Sequence, residues 1–356
     1  MAKGINLKSL PKDGLHQFIE EAGLPRFRAG QLIHWLYQKY VSDIAGITEF
    51  SKELRSTLAG LSYISNLQLA GRLKSSDGTE KFLFSLEDGE TIESVLIPDD
   101  ARLTLCISSQ VGCAMGCKFC LTGKLGLIRN LRAFEIVDQV LAVNRLILPR
   151  KIKNIVLMGM GEPLANLGEV SEALWRTTEY IGISKRRITL STAGLVPGMA
   201  LLADKAPEVN LAVSLNASVD RVRDEIMPVN RRHPLKSLIE ACRKFPLGPG
   251  RRITFEYVLI GGVNDSVEDA RRLVKLVRGL RCKVNLIPLN PHAGSGLKRP
   301  ADTTVRAFQK VLAGNNLTAI IRESKGQDIL AACGQLRADY PRKRLTAENA
   351  ESADKN

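Results

Sequence analysis

CISSQVGCAMGCKFCLTGKLGLIRNL, residues 106–131, is the stretch on which the reading of the fold turns. Within it Cys113, Cys117 and Cys120 stand in a CxxxCxxC frame, so one short loop supplies three thiolates. A four-iron cluster held by three thiolates keeps one iron without a protein ligand. An open iron of that kind can bind and activate a small molecule. The competing reading is a zinc knuckle, which needs a fourth Cys or His at close spacing. The nearest histidines are His34 and His233, and Cys106 lies seven residues upstream, a poor zinc pairing.

With Phe119 directly before the last cysteine, the triplet resembles the radical S-adenosylmethionine superfamily. The wider string narrows the resemblance to the RlmN/Cfr family of radical RNA (adenine) methyltransferases. The likeness continues through GMGEP (159–163), SKRRITLSTAG (184–194), VRDEIMP (222–228), NLIPLNP (285–291) and GQDILAACGQL (326–336). It runs in order from about residue 80 to 336, which makes it far more specific than a lone cysteine motif. The VGC frame at 111–113 is nearer the carbon-2 branch of the family than the carbon-8 branch.

The resemblance implies a partial α/β barrel with its chemistry at the carboxyl ends of the strands. It also implies two cofactors, a [4Fe-4S] cluster on Cys113, Cys117 and Cys120 and S-adenosyl-L-methionine on the open iron. The implied partners are 23S rRNA, with tRNA as a further substrate, and an electron donor such as flavodoxin. Two other classes compete. One is a radical activase acting on a protein, which would leave Cys333 and the basic charge without a purpose. The other is a non-catalytic cluster-bearing RNA-binding protein, against which GMGEP and the paired thiols speak.

Composition is compatible with this. The chain has 356 residues, a net charge of +14 and a pI near 9.6. That charge suits a polyanionic partner and attracts RNA at long range, although a generic basic surface accounts for it as well. Aromatic content of 5% argues against a dedicated base-stacking platform. No apolar run approaches membrane-spanning length, and MAKGINLKSLPKDGL at the start lacks the apolar core of a signal peptide. The expectation is a cytoplasmic monomer whose seven cysteines are ligands, reactive thiols or core residues rather than a disulfide framework.

The chain divides into four expected parts. Residues 1–70 read as a small helical domain for docking RNA, with Leu32, Trp35 and Leu36 at helical spacing. Its plainer reading is a packing cap. Residues 71–98 form a β-rich connector with turn signals at Asp77-Gly78 and Asp88-Gly89. Residues 99–336 alternate apolar strand candidates at 103–108, 154–159, 187–192, 210–215, 253–260, 283–289 and 318–323 with helical segments. Continuous apolar strands between helices indicate an α/β barrel or part of one. Residues 337–356 are polar and read as a disordered tail.

Several residues are then candidates for the site. Gly161 and Glu162 follow a strand in GMGEP, where glycine lets backbone approach a ligand; an ordinary turn would look the same. Ser191, Ser214, Leu215, Asn216 and Asn290 fall at strand ends, and the resemblance implies cofactor contacts there. The family commonly has His where this chain has Asn216, an amide that cannot ionise.

Cys333 and Cys106 occupy the family's catalytic-thiol positions, whereas Cys242 and Cys282 read as small core residues. Adenine carbons 2 and 8 are not nucleophiles, so ordinary methyl transfer fails on them. The resemblance implies that Cys333 is methylated first. A radical then takes a hydrogen from that methyl, the resulting carbon adds to adenine, and Cys106 helps release the adduct. Glu93 matches a family proton acceptor, with Glu90 as a neighbouring competitor. The basic strings Lys185-Arg186-Arg187, Arg231-Arg232 and Arg251-Arg252 are candidate phosphate contacts or solvated surface.

Overall fold

The computed structural model describes residues 4–99, 102–291 and 295–336; the expected tail at 337–356 lies outside the described residues. Among the described residues ten strands form one sheet, and neighbours in sequence among them are neighbours in the sheet. They are β1 (Gln68–Lys74), β2 (Glu80–Ser85), β3 (Thr91–Asp99), β4 (Arg102–Cys106), β5 (Asn154–Leu157), β6 (Ile188–Thr192), β7 (Asn210–Ser214), β8 (Ile253–Leu259), β9 (Cys282–Pro288) and β10 (Ala319–Ile321). From β4 to β10 every pairing is parallel. From β1 to β4 every pairing is antiparallel, and the two Asp-Gly turns close the first two hairpins. The connector strands therefore extend the barrel's own sheet.

Parallel neighbours need crossovers, and helices supply them. They include α4 (Ala133–Ile147), α5 (Leu167–Arg176), α6 (Val196–Lys205), α7 (Asp220–Ile226), α8 (Leu235–Lys244), α9 (Val267–Leu276) and α10 (Asp302–Gly314). The period-two alternation of β8 separates two environments. Ile253, Phe255 and Tyr257 enter the main core with the helices, while Thr254 and Glu256 line an internal cavity. Cys242 and Cys282 are buried in that same core.

The N-terminal helices α1 (Lys12–Glu21), α2 (Phe27–Tyr37) and α3 (Lys52–Leu61) pack onto α4 and α5. The anchor is a buried ion pair, Lys8 Nζ to Asp138 Oδ1 at 2.6 Å. Lys8 Nζ also donates to the Ser65 carbonyl, and the Leu67 N–H donates to Asp138 Oδ2. Burial alone would push Lys8 toward its neutral form; the Asp138 carboxylate opposes that. Tyr37 and Tyr180 add a tilted ring contact with centroids 5.0 Å apart.

Candidate active site

The cysteine loop hangs from an antiparallel hairpin, Gln110–Cys113 against Gly126–Asn130. Gly112 has φ 77°, and a Cβ there would strike the Gly126 carbonyl oxygen. The loop is tied at both sides. Lys118 N–H donates to the Ile226 carbonyl at 3.0 Å, and Leu121 N–H to the Gly334 carbonyl at 2.8 Å. Thr122 Oγ1 donates to the Leu336 carbonyl at 2.7 Å. Met115, Cys117 and Phe119 pack on an apolar patch that contains Ile226, Met227 and Leu289.

The three thiols interact electrostatically with one another. Burial raises the Cys113 thiol to about 11, and the Cys120 thiol adds to the shift. Cys117 is also raised, by burial first and then by Cys120 and Cys113. Among the described residues no set of three or more His, Cys, Asp or Glu is placed to hold a single metal ion. Three cysteines on one short loop, each within electrostatic reach of the others, suit the span of a four-iron cluster with one open iron.

Next to this loop lie the expected cofactor segments. Gly161 adopts φ 105°, and a Cβ there would sit 2.6 Å from Gln110 Cβ. Gln110 Oε1 accepts the Glu162 N–H at 2.8 Å. The Glu162 carboxylate is buried and fully engaged by protein. It accepts from Thr192 Oγ1 at 2.7 Å, from Ala193 N–H at 2.6 Å and from Leu164 N–H at 3.0 Å. Burial raises its carboxyl, and these three donors oppose the rise. What the Gly161-Glu162 segment presents to a ligand is thus its backbone.

Ser191 and Ser214 are half-buried near the carboxyl ends of β6 and β7, and Leu215 is fully buried. Asn216 has φ 57°, a left-handed conformation that asparagine tolerates. Its Oδ1 accepts the Val258 N–H at 2.8 Å, and its Nδ2 faces Met227 Sδ at 3.1 Å. The side chain therefore braces β8. Asn290 is 5% exposed; its Nδ2 donates to the Cys333 carbonyl at 3.4 Å, and its Oδ1 is buried without a hydrogen-bond partner. That orphan acceptor, the Gly161 backbone and the three thiols together suit the cluster and its sulfonium cofactor.

Cys106, Cys333 and Asn290 line one cavity of about 480 Å³ inside the barrel. Cys106 is buried beside Val95, Met160, Ala331 and Leu336. Burial raises its thiol far above the ordinary range, and the neighbouring Cys333 raises it further. Cys333 is exposed to the cavity, yet the surrounding protein and the Glu256 carboxyl hold its thiol near 11. Two cysteines from opposite ends of the barrel sequence are thus electrostatic neighbours. Glu93 is 2% exposed and forms an ion pair with Lys81 Nζ at 3.0 Å; Lys81 also donates to the Leu330 carbonyl. Glu90 instead sits in the hairpin turn, its N–H on Asp88 Oδ1.

Sequence reasoning passed over Arg223, Glu256, Asn285 and Lys81. Arg223 is fully buried at the start of VRDEIMP and holds two strand ends at once. Its Nε donates to the Leu215 carbonyl at 2.9 Å, and its Nη2 to the carbonyls of Ala193 at 2.8 Å and Ser214 at 3.0 Å. Its Nη1 donates to Asn230 Oδ1 at 3.0 Å. Glu256 is 7% exposed, accepts from Asn285 Nδ2 at 3.0 Å, and is raised to about 7 by burial. An arginine inside an amphipathic helix and a glutamate inside an apolar strand carry no local signal of burial.

The N-terminal domain model of ribosomal RNA large subunit methyltransferases matches residues 5–64, and the radical SAM superfamily model matches residues 107–274. A dual-specificity RNA methyltransferase RlmN from Pelobacter propionicus is 50% identical over 98% of this chain and 100% of its own length. Its counterpart from Geotalea uraniireducens is 52% identical over 94% of this chain and 96% of its own. A solved radical SAM methyltransferase from Sphaerobacter thermophilus superposes with a TM-score of 0.90 at 44% identity, covering 94% of this chain and 100% of that one.

Proposed function

Because the chain belongs to the RlmN family of radical S-adenosylmethionine RNA methyltransferases, we propose that it methylates carbon 2 of adenosine in 23S rRNA and in tRNA. The observation that carries this reading is the meeting of Cys106 and Cys333 in one cavity whose wall is tied to the cluster loop. Cys113, Cys117 and Cys120 hold a [4Fe-4S] cluster. Gly161, Glu162, Ser191, Ser214, Leu215, Asn216 and Asn290 form the S-adenosylmethionine site. When bound, this pair supplies a carbon radical able to take a hydrogen atom from a methyl group.

The chain's own residues do the rest. Cys333 faces the cavity and carries the methyl group as a thioether, so the carbon to be transferred is placed before the base arrives. Cys106 is kept as a neutral thiol by burial until the base is joined to Cys333. Its sulfur then attacks the Cys333 sulfur, a disulfide forms, the S–C electron pair stays on the methylene carbon, and the proton leaving Cys106 completes the methyl group of the released base. Glu93, which is paired with Lys81, accepts the ring proton as the adduct radical gives up its electron, for which the cluster would be the one-electron acceptor. An electron donor such as flavodoxin is a partner, and the Cys106–Cys333 disulfide is later reduced to the dithiol. Residues 1–70 dock the RNA, and the enzyme works as a cytoplasmic monomer.

The test is anaerobic reconstitution with S-adenosylmethionine, reductant and unmodified rRNA or tRNA, read by nucleoside mass spectrometry. The expected product is 2-methyladenosine. Cys333→Ala is expected to keep the cluster absorbance and lack S-methylcysteine, while Cys106→Ala accumulates covalently joined to RNA on a denaturing gel. An 8-methyladenosine product, or full turnover by either variant, would overturn this reading.

A further inference from the structure

At the other end of the barrel, a second cavity of about 490 Å³ lies between the N-terminal helices and the amino ends of three strands. Arg102 begins β4, Lys151 and Lys153 lead into β5, and Arg187 leads into β6. All four are exposed, and among the described residues none of them forms an ion pair or a side-chain hydrogen bond. Among the described residues no carboxylate lines the cavity. The neighbouring cations behave differently: Lys185 and Arg251 are both paired with Glu208, at 3.6 and 3.1 Å. Gln38 and Ser184 add neutral polar groups to the wall.

Four like charges gathered without a counter-charge repel one another, and an anion relieves that repulsion. A polar, open cavity is a poor site for a drug-like molecule, which wants apolar enclosure. Among the described residues it also offers no exposed aromatic ring on which a base could stack, since Tyr40 is buried. Cations without a stacking surface read phosphates rather than bases.

We infer that this basal pocket binds the phosphodiester backbone of the RNA substrate at a point several nucleotides from the methylated adenosine. The inference rests on the functional reading above, that the substrate is RNA. Its geometry follows from β4, which joins the two cavities: Arg102 opens onto the basal pocket and Cys106 onto the thiol cavity. Four residue steps at about 3.3 Å separate them by about 13 Å. That distance is a lower bound, because the RNA must pass around the barrel wall to touch both cavities, so the two contacts lie several nucleotides apart. Short RNA reaches the thiols without reaching the pocket, and long RNA reaches both.

The experiment compares the reconstituted wild-type enzyme with Lys151→Glu/Lys153→Glu and with the milder Lys151→Gln/Lys153→Gln. The readouts are affinity for full-length tRNA and for a trinucleotide centred on the target adenosine across a salt series, cluster absorbance, and S-methylcysteine at Cys333. The charge-reversed enzyme should bind tRNA about tenfold or more weakly near 0.1 M salt, with a log–log salt slope shallower by about 2. The neutralised enzyme should move the same way by less. Trinucleotide affinity, cluster content and Cys333 methylation should match the wild type in both. A variant with unchanged tRNA affinity and slope overturns the inference, as does one that loses tRNA and trinucleotide equally. A wild-type enzyme that neither binds nor methylates any RNA would instead overturn the functional reading.

Discussion

Replacing Arg223 tests how the mouth of the barrel is held together. Its guanidinium bridges the carboxyl ends of β6 and β7 through the carbonyls of Ala193, Ser214 and Leu215, and reaches Asn230 as well. Burial lowers the guanidinium to about 10, so it remains protonated at neutral pH. Arg223→Met keeps much of the volume and leaves three buried acceptors, the carbonyls of Ala193 and Ser214 and Asn230 Oδ1, without that donor, while the Leu215 carbonyl keeps the Ala217 N–H. Each such acceptor costs about 1 kcal/mol or more, so the expected loss is about 3 kcal/mol. An unfolding entropy of about 2.1 cal/mol/K per residue over this chain gives about 0.75 kcal/mol/K, hence a fall in Tm of about 4 °C.

Arg223→Lys keeps the charge, but one ammonium cannot span three carbonyls and an amide, and it should lose at least half as much. Calorimetry of the anaerobically reconstituted protein gives the shift. S-adenosylmethionine binding, measured on the same samples, should weaken because the freed carbonyls lie beside Ser214 and Leu215. A Tm within 1 °C of wild type for Arg223→Met, with unaltered binding, would refute the reasoning.

Two further outcomes follow from the same site. Gly161→Ala must place a Cβ 2.6 Å from Gln110 Cβ at a φ of 105°; strain and overpacking of about 2–4 kcal/mol should shift the loop and abolish cofactor binding, and wild-type affinity by titration would show that the tight fit is not needed. Glu256 is held near 7, above its unfolded value of about 4.5, so the native state keeps a proton that the unfolded chain has lost; this term costs stability progressively as pH rises from about 4.5 to 7, by about 3 kcal/mol at full extent. Glu256→Gln removes that slope, so its Tm should gain on the wild type across this interval and keep the gain above pH 7; parallel Tm–pH curves would contradict the assignment.

Much of the chemistry was legible because it is local. A CxxxCxxC loop carries its ligand spacing within eight residues, and no folding is needed to count it. The seven parallel strands were legible too, since strands buried on both faces must be apolar along their length. The Asp-Gly turns announced the antiparallel strands β1 to β3, although nothing local revealed that those strands would join the barrel's sheet. The candidate list at the strand ends was less informative about side chains. Glu162 and Asn216 have polar groups engaged by the protein, whereas Asn290, alike in the sequence, keeps a free buried acceptor.

By itself, then, the amino-acid sequence determined the cysteine spacing, the positions of the parallel strands and the helical segments between them, since each is set by spacing or periodicity over a few residues. Only the tertiary structure decided which distant groups meet. Cys106 ends the first parallel strand and Cys333 follows the last, and they become neighbours because a curling sheet brings its first and last parallel strands around one cavity. Arg223 becomes buried because α7 folds back over the ends of β6 and β7, and Lys81 finds Glu93 because adjacent antiparallel strands place them on one face. The four basal cations come from three separate connections and share a pocket because parallel strands begin at the same end of the barrel. Each of these encounters depends on a long-range pairing, and no window of sequence contains both partners.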